Sequence, residues 1–210
     1  MGNWLAGCFG AHCGGCAIAL PVGSGALWCP ACEVAVLPST FLSATPAGLP
    51  LVATLLFTGP VATWLSATKA GDRAPLLDPL QAAWRATTCR IAGPAHAVVV
   101  PVGPQLDRLR RRGWHLPDLL ADTLRHRTHR GLQRHDRAAP RRHDRDQVPV
   151  FRWRGALTQP VILIDDVVTT GATLDAAAAV LRAAGVTVLG AACLTDARPA
   201  AIARAAQAMG

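Results

Sequence analysis

The clearest pattern along the chain is an apolar run that ends in two acidic residues. Residues 161–164 are all apolar, and Asp165 and Asp166 follow them directly. Uninterrupted apolar runs of this length are typical of central parallel strands that are covered on both faces. Residues 174–184 then show a helical pattern closed by Gly185, and residues 186–194 form a second apolar run. This strand–helix–strand order predicts an α/β fold with a parallel central sheet.

The same kinds of pattern predict the secondary structure and the domains of the rest of the chain. Residues 97–101 are predicted to be a buried strand whose pairing stops at Pro101. Residues 128–147 are polar without clean periodicity and predict a mobile loop, with a partial helix or hairpin within it. Helices are predicted over residues 61–70, 77–87, 104–112, 117–126 and 199–209. The predicted domains are a cysteine module over residues 1–36, a connector over residues 37–59, and an α/β domain over residues 60–210.

A small, hydroxyl-rich turn follows the two acids and opens the next helix. It consists of Thr169, Thr170, Gly171, Ala172 and Thr173. A helix N-terminus carries about half a positive charge and unpaired N–H groups, which favour anions, and glycine lets a phosphate approach the backbone. The preceding carboxylates can accept hydrogen bonds from vicinal hydroxyls. The turn therefore predicts a ribose 5-phosphate site. The alternative is that the acids only cap the helix, but a cap needs one acid and no threonine–glycine loop.

Composition limits the class of protein. The chain has 210 residues, 51% of them hydrophobic, which suffices for one α/β core and a small accessory module. No apolar stretch reaches the length of a membrane span, and the N-terminus lacks the pattern of a signal peptide. We therefore expect a cytoplasmic location by default.

Charge is concentrated in one stretch. The net charge is +8, and residues 108–145 contain twelve of the chain's arginines and five of its histidines. Such a cluster attracts polyanions such as pyrophosphate, a nucleotide or a nucleic-acid backbone, although it can equally be a solvated loop. Residues 125–145 contain no tyrosine, tryptophan or phenylalanine on which bases could stack. Any binding of single-stranded DNA by this loop is therefore expected to be weak and salt-dependent.

Two C-x-x-C pairs stand near the N-terminus. They are formed by Cys13, Cys16, Cys29 and Cys32. Two such pairs can present four thiolates to one tetrahedral zinc ion, which predicts a structural zinc ribbon. Disulfides fit poorly with the missing signal peptide, and a redox dithiol needs only one pair. Cys8 or His12 remains able to replace one of the four ligands.

The motif after the apolar strand and the order of the two domains each resemble a known family. The segment Asp-Asp-Val-Val-Thr-Thr-Gly-Ala-Thr over residues 165–173 resembles the phosphoribosyl pyrophosphate (PRPP) motif of type I phosphoribosyltransferases. A zinc ribbon ahead of such a domain resembles the ComF-like proteins associated with DNA uptake in bacterial competence. Residues 58–61, 69–71, 99–102 and 112–114, together with Arg108, also look like segments of that family.

The resemblance implies a function and a set of site residues. It implies a type I phosphoribosyltransferase-like fold that binds PRPP or a related phosphoribosyl ligand with magnesium, and transfers the phosphoribosyl group with release of pyrophosphate. Asp165 and Asp166 would face the ribose hydroxyls, and residues 169–173 would wrap the 5-phosphate. Pyrophosphate would lie against Pro101, Val102, Gly103, Arg108, Arg112 and Lys69. Single-stranded DNA and DNA-processing proteins are the implied partners.

Two other classes of protein remain open. A non-catalytic adaptor would use the same pocket to sense PRPP or a nucleotide, and a redox protein would use the cysteine pairs. No residue stands out as a general base, and no acceptor substrate is indicated. Gly103 stands where the family usually has proline, and His115 where it usually has asparagine. Residues 145–148 only approximate the usual Arg-x-x-Asn, so the sequence supports ligand binding better than catalysis.

Overall fold

The computed structural model describes residues 12–21, 23–39, 42–71, 77–92, 97–135 and 149–209. Its main sheet has five strands in the order β1-β2-β7-β6-β3, and only β1 is antiparallel to its neighbour. A separate two-stranded antiparallel ribbon is formed by β4 and β5. The strands are β1 (Ser43–Ala44), β2 (Pro50–Leu56), β3 (Val98–Pro101), β4 (Leu132–His135), β5 (Val150–Trp153), β6 (Val161–Val168) and β7 (Val188–Asp196). The predicted α/β fold with a mostly parallel central sheet is confirmed.

Helices cover both faces of this sheet. They are α1 (Pro30–Glu33), α2 (Gly59–Ala70), α3 (Gln81–Ala92), α4 (Leu106–Arg112), α5 (Leu116–Asp122), α6 (Ala172–Ala183) and α7 (Pro199–Met209), and one turn of 3-10 helix (Asp78–Leu80) precedes α3. Alternate residues of each strand point to opposite faces, so Ile162 and Ile164 pack under α2, α3 and α5, while Val161 and Leu163 pack under α6. None of the helices in the described part of the chain has the length and apolar character that a bilayer crossing requires.

The predicted connector is not a linker in the structure. Its residues 50–56 form β2, which pairs in parallel with β7 inside the main sheet, and six of its seven residues are buried. The connector prediction is therefore wrong for this segment. Pro101 also does not end the pairing of β3, because it stands opposite Ile164 and the next residue, Val102, donates its N–H to the Ile164 carbonyl at 2.9 Å.

The cysteine segment packs directly on α2 and shares its hydrophobic core. Cys13, Leu20, Leu27 and Trp28 belong to the same buried cluster as Trp64 of α2. The two indole rings meet edge to face at 6.3 Å between centroids. The cysteine segment and the α/β domain are thus stabilised by one continuous set of apolar contacts.

The β4–β5 ribbon begins within the segment predicted to be a mobile loop that includes a partial helix or hairpin. Leu132 and Phe151 are buried against the core under α6. By strand alternation, Arg134 shares the inward face with Leu132, while Gln133 and His135 lie on the outward face. The remainder of the predicted loop, residues 136–148, lies outside the described residues.

Candidate functional site

A pocket of about 160 Å³ opens at the carboxyl ends of β3 and β6. Ligands of open parallel α/β sheets bind at this edge, where loops from neighbouring strands diverge. The pocket combines acidic, basic and backbone groups from five parts of the chain. Its lining consists of Lys69, Val102, Gly103, Pro104, Gln105, Leu109, Arg112, Trp114, His115, Pro117, Arg134, Asp165, Asp166 and Thr173.

The two acids lie at the pocket end of β6 and have different surroundings. Asp166 forms an ion pair with Lys69, with 2.9 Å between Oδ1 and Nζ. The Asp166 N–H donates to Asp165 Oδ1 at 2.8 Å, which holds the Asp165 carboxyl group against the backbone. One acid is therefore neutralised by a lysine, whereas the other is held mainly by a backbone amide.

The pKa of Asp165 is raised from 3.8 to about 7. Burial is the main cause, and the neighbouring charge of Asp166 adds to it. The Asp166 N–H and the positive charges of Lys69 and Arg134 offset part of this rise. Because a raised pKa marks a carboxylate that is poorly compensated in the free protein, Asp165 is suited to accept hydrogen bonds from an incoming ligand.

The turn after β6 is shaped by Gly171, which is the N-cap residue of α6 with φ +91°. This left-handed conformation favours glycine. A Cβ at this position would lie 3.1 Å from both Thr45 Cβ and Pro46 Cδ. That neighbouring turn is tied to α6 by Asp175, which accepts hydrogen bonds from the Thr45 hydroxyl and, at 3.1 Å, from the Ala47 N–H. The backbone of the turn is thus fixed in place at the start of α6.

The opposite side of the pocket is basic. Arg112, at the end of α4, places its guanidinium 5.9 Å from the centre of the Trp114 ring. Arg134 reaches the same pocket from β4. Gly103 lies directly beneath β4, and a Cβ there would overlap the Leu132 carbonyl oxygen and approach the Arg134 N at 2.9 Å. The absence of a side chain at Gly103 is therefore what lets β4, and with it Arg134, lie over this turn.

The four cysteines form a compact group away from the pocket. Their Sγ atoms all lie within 4.8 Å of one another, with 3.7 Å between Cys16 and Cys29. The Cys29 N–H donates to Cys13 Sγ at 3.3 Å. Burial favours a higher pKa for Cys13, but backbone N–H groups outweigh it and lower the pKa to about 6. The pKa of Cys32 is raised to about 12 by burial, by hydrogen bonds among the thiols and by the charge of Cys13.

Four sulfur atoms at these distances can bind one zinc ion tetrahedrally. His12 is exposed and is not part of the group. Cys8 lies outside the described residues. The four predicted cysteines are thus sufficient as a ligand set.

Comparison with known protein families adds one finding. Residues 157–207 match the family model of the phosphoribosyl transferase domain. The matched segment contains β6, the turn at residues 169–173, α6, β7 and most of α7. No curated protein matches the chain. A phosphoribosyl transferase domain match therefore falls on the segment that carries the paired acids and the glycine turn.

The structure brings most of the predicted site residues together. Seven of them line the pocket: Lys69, Val102, Gly103, Arg112, Asp165, Asp166 and Thr173. Thr169, Thr170, Gly171 and Ala172 form the adjoining turn, while Pro101 lines a neighbouring cavity of about 370 Å³. The side chain of Arg108 lies outside the described residues. The ligand roles of all these residues remain predictions.

Sequence reasoning did not single out Arg134, Trp114 and His115 as site residues, although all three line the pocket. Arg134 was one of many arginines in the basic stretch. Its position in β4 distinguishes Arg134 from the other arginines. Leu132, two residues earlier, is buried, and strand alternation places Arg134 on the same inward face. His115 carried a weaker signal, as the residue that differs from the family's asparagine.

We expect removal of zinc to destabilise more than the cysteine segment. Replacing Cys16 by serine, or chelating the reduced protein, should lower the melting temperature and change tryptophan fluorescence, because Cys13 and Trp28 share a core with Trp64. Cys89→Ser is the matched control, since Cys89 is exposed and lies outside the sulfur group. Purified protein without stoichiometric zinc, or equal melting of the two variants, would contradict the assignment.

Proposed function

We propose that the protein binds PRPP in the pocket at the ends of β3 and β6 and transfers its phosphoribosyl group to an acceptor with release of pyrophosphate. The observation that carries this proposal is the position of Asp165 and Asp166 beside the Gly171 turn, within the segment that matches the phosphoribosyl transferase domain. A phosphate site at a helix N-terminus next to two hydroxyl acceptors fits the two halves of a ribose 5-phosphate.

In this proposal the ligand spans the pocket from α6 to β4. The 5-phosphate lies on the turn at residues 169–173, and the ribose hydroxyls donate to Asp165 and Asp166. The pyrophosphate lies towards Gly103, Arg112 and Arg134, where the positive charge of the two arginines favours an oxyanion. Lys69 sits between the two halves in its ion pair with Asp166.

Magnesium belongs to the same proposal. It would enter with PRPP, Asp165 and Asp166 would hold it, and it would help to neutralise the charge of the leaving pyrophosphate. The lining fits this role, because two carboxylates stand where the metal–ribose side of the ligand would lie and guanidinium groups stand where the free phosphate oxygens would lie.

The pocket's contribution to transfer would be orientation and charge. Departure of pyrophosphate leaves an oxocarbenium-like ribose, so the protein must hold the nucleophile in line, neutralise the leaving group and exclude water. A nitrogen base or ammonia is the class of acceptor that this chemistry takes. None of the described residues that line the pocket has contacts that identify the acceptor.

The alternative function is a PRPP- or nucleotide-sensing adaptor of the ComF type that binds single-stranded DNA or DNA-processing proteins. The outward side of the β4–β5 ribbon supports it. His135, Arg152 and Arg154 line a groove of about 260 Å³ there, together with Arg134 at its inner edge. Such a basic groove attracts a phosphate backbone without reading its sequence. We propose a role in DNA uptake only together with this alternative.

One experiment separates the two functions. The protein is incubated with PRPP, magnesium and ammonia or candidate bases, and released pyrophosphate is measured alongside calorimetric PRPP binding. We expect release that depends on protein and is lost in Asp166→Asn, whereas Asp78→Asn, which changes an exposed acid that does not line the pocket, behaves as wild type. Binding without release, with DNA affinity that falls steeply with salt, supports the adaptor. Absence of PRPP and ribose 5-phosphate binding would contradict both.

A further inference from the structure

The imidazole of His115 occupies a defined position in the pocket. His115 is the N-cap residue of α5, with extended backbone angles φ −131° and ψ 118°, but its side chain makes no capping hydrogen bond to the helix backbone. Instead, Nδ1 lies 2.9 Å from Oδ2 of Asp118, one turn into the helix. The His115 side chain is 16% exposed and lines the pocket.

Asp118 is itself fixed by a second partner. Its Oδ1 accepts a hydrogen bond from Arg130 Nε at 3.1 Å, and Arg130 also bonds Asp122. Burial favours a higher pKa for Asp118, but the hydrogen bonds and charges of His115 and Arg130 outweigh it and lower the pKa below the ordinary value. The carboxylate therefore stays ionised at neutral pH and holds the proton of the imidazole on Nδ1.

This arrangement leaves Nε2 as the nitrogen that meets a ligand. No described residue makes a hydrogen bond to it. A neutral imidazole with its proton on Nδ1 presents a lone pair at Nε2, whereas the charged imidazolium presents an N–H donor and a positive charge. The state of the ring thus decides whether His115 repels or attracts an oxyanion.

The charged groups around His115 come from several elements. α4 and β4 contribute Arg112 and Arg134, α2 contributes Lys69, and β6 contributes Asp165 and Asp166, all of which line the same pocket. β3, which also packs against α5, contains no titratable side chain among residues 98–101. Asp118 and Arg130 complete the surroundings. The acids lie on β6, whereas His115 comes three residues after Arg112 in the segment that follows α4.

We propose that His115 is a pyrophosphate-binding residue that acts in its charged form, donating Nε2–H to an oxyanion, and that Asp118 and Arg130 are its positioning residues. This inference rests on the proposed PRPP site. Its consequence is selective: affinity for PRPP relative to ribose 5-phosphate falls as pH rises, because only PRPP carries the group that His115 contacts.

The competing interpretation is that the His115–Asp118 pair merely fixes the start of α5. A purely structural pair would change stability, and it would affect PRPP and ribose 5-phosphate equally. The ratio of the two affinities is therefore the informative measurement. Titration of Asp165, which faces the ribose shared by both ligands, cancels from this ratio.

The test is calorimetry with magnesium at pH 6 and pH 8, using PRPP and ribose 5-phosphate as probes. His115→Asn keeps a polar side chain of similar reach that cannot be charged. We expect it to weaken PRPP about tenfold at pH 6 and less than about threefold at pH 8, as for loss of one charge-assisted hydrogen bond, and to leave ribose 5-phosphate nearly unchanged. His126→Asn is the matched control and should behave as wild type, because the His126 ring does not line the pocket and its Nδ1 instead lies 3.3 Å from the Ala97 carbonyl oxygen.

Asp118→Asn supplies a second, independent readout. Without the carboxylate the His115 ring loses the partner that holds its Nδ1, so PRPP affinity should fall while ribose 5-phosphate affinity stays nearly unchanged. Wild-type PRPP binding with an unchanged affinity ratio in both variants would overturn the role of His115 and leave the proposed function standing. Failure of the wild type to bind PRPP would instead overturn the proposed function. Should His115→Asn fold poorly, the wild-type ratio across pH decides, and a flat ratio contradicts the inference.

Discussion

Replacing Gly171 by alanine should reduce the affinity for PRPP and for ribose 5-phosphate by about a hundredfold or more. Two effects combine at this residue. The left-handed backbone at φ +91° costs a side chain about 1–2 kcal/mol, and the new Cβ would press on Thr45 and Pro46 at 3.1 Å. The turn must then shift, and each charge-assisted hydrogen bond lost to the 5-phosphate is worth about 1.5–3 kcal/mol.

The matched control for this variant is Gly185→Ala. Gly185 also has a left-handed backbone, with φ +77°, but a Cβ there meets nothing within 4 Å, and it lies at the other end of α6. Both variants should lose stability in a thermal melt, Gly171→Ala more because of its added contacts with Thr45 and Pro46, whereas only Gly171→Ala should lose ligand affinity in calorimetry. Equal ligand binding by the two variants would show that the 5-phosphate does not lie on residues 169–173.

Asp165→Asn should make the protein more stable and its PRPP binding weaker. The folded-state pKa of about 7 lies above the ordinary 3.8, so folding is increasingly disfavoured by this group as pH rises from about 4 to about 7. An uncharged asparagine removes that cost, on the order of 2–4 kcal/mol above pH 7. It also removes the carboxylate that accepts a ribose hydroxyl in the proposed site.

This prediction is checked by melting temperatures of the wild type and the variant between pH 5 and pH 8.5. The difference in melting temperature in favour of Asp165→Asn should grow from pH 5 to about pH 7 and stay constant above that pH. Asp78→Asn, which changes an exposed acid, should show no such trend. A variant that melts at or below the wild-type temperature at pH 8 would mean that Asp165 is well compensated in the free protein.

The parts of the fold that could be predicted are those with a strong local signal. β6 was visible as an apolar run, α6 as a periodic segment closed by glycine, and α7 between its proline and the chain end. β2 was missed, although residues 50–56 are apolar except for Thr54, because proline and glycine on either side favoured a connector. Its place beside β7 depends on contacts with residues 191–196, which no local pattern encodes.

The candidate site also contains residues with a strong local signal in the sequence and residues whose position depends on tertiary contacts. The motif at residues 165–173 could be recognised because it is continuous within one short segment of the sequence, and the phosphoribosyl transferase domain match covers that segment. The contribution of Arg134 depends on its pairing with Phe151 across the ribbon, and that of His115 depends on the position of Asp118 in a helix that sequence alone placed one residue later. The raised pKa of Asp165 depends on burial, which only the assembled pocket provides.

The contact between Gly103 and β4 limits how this chain can diverge. The carbonyl of Leu132 and the amide of Arg134 occupy the volume that any side chain at residue 103 would need. A proline at residue 103 and a β4–β5 ribbon in its present position are therefore mutually exclusive. A relative that keeps the proline must hold its ribbon farther out, where an arginine equivalent to Arg134 would reach less deeply. Glycine at residue 103 and an arginine at residue 134, one residue before the end of β4, should thus be gained and lost together, as one inherited unit.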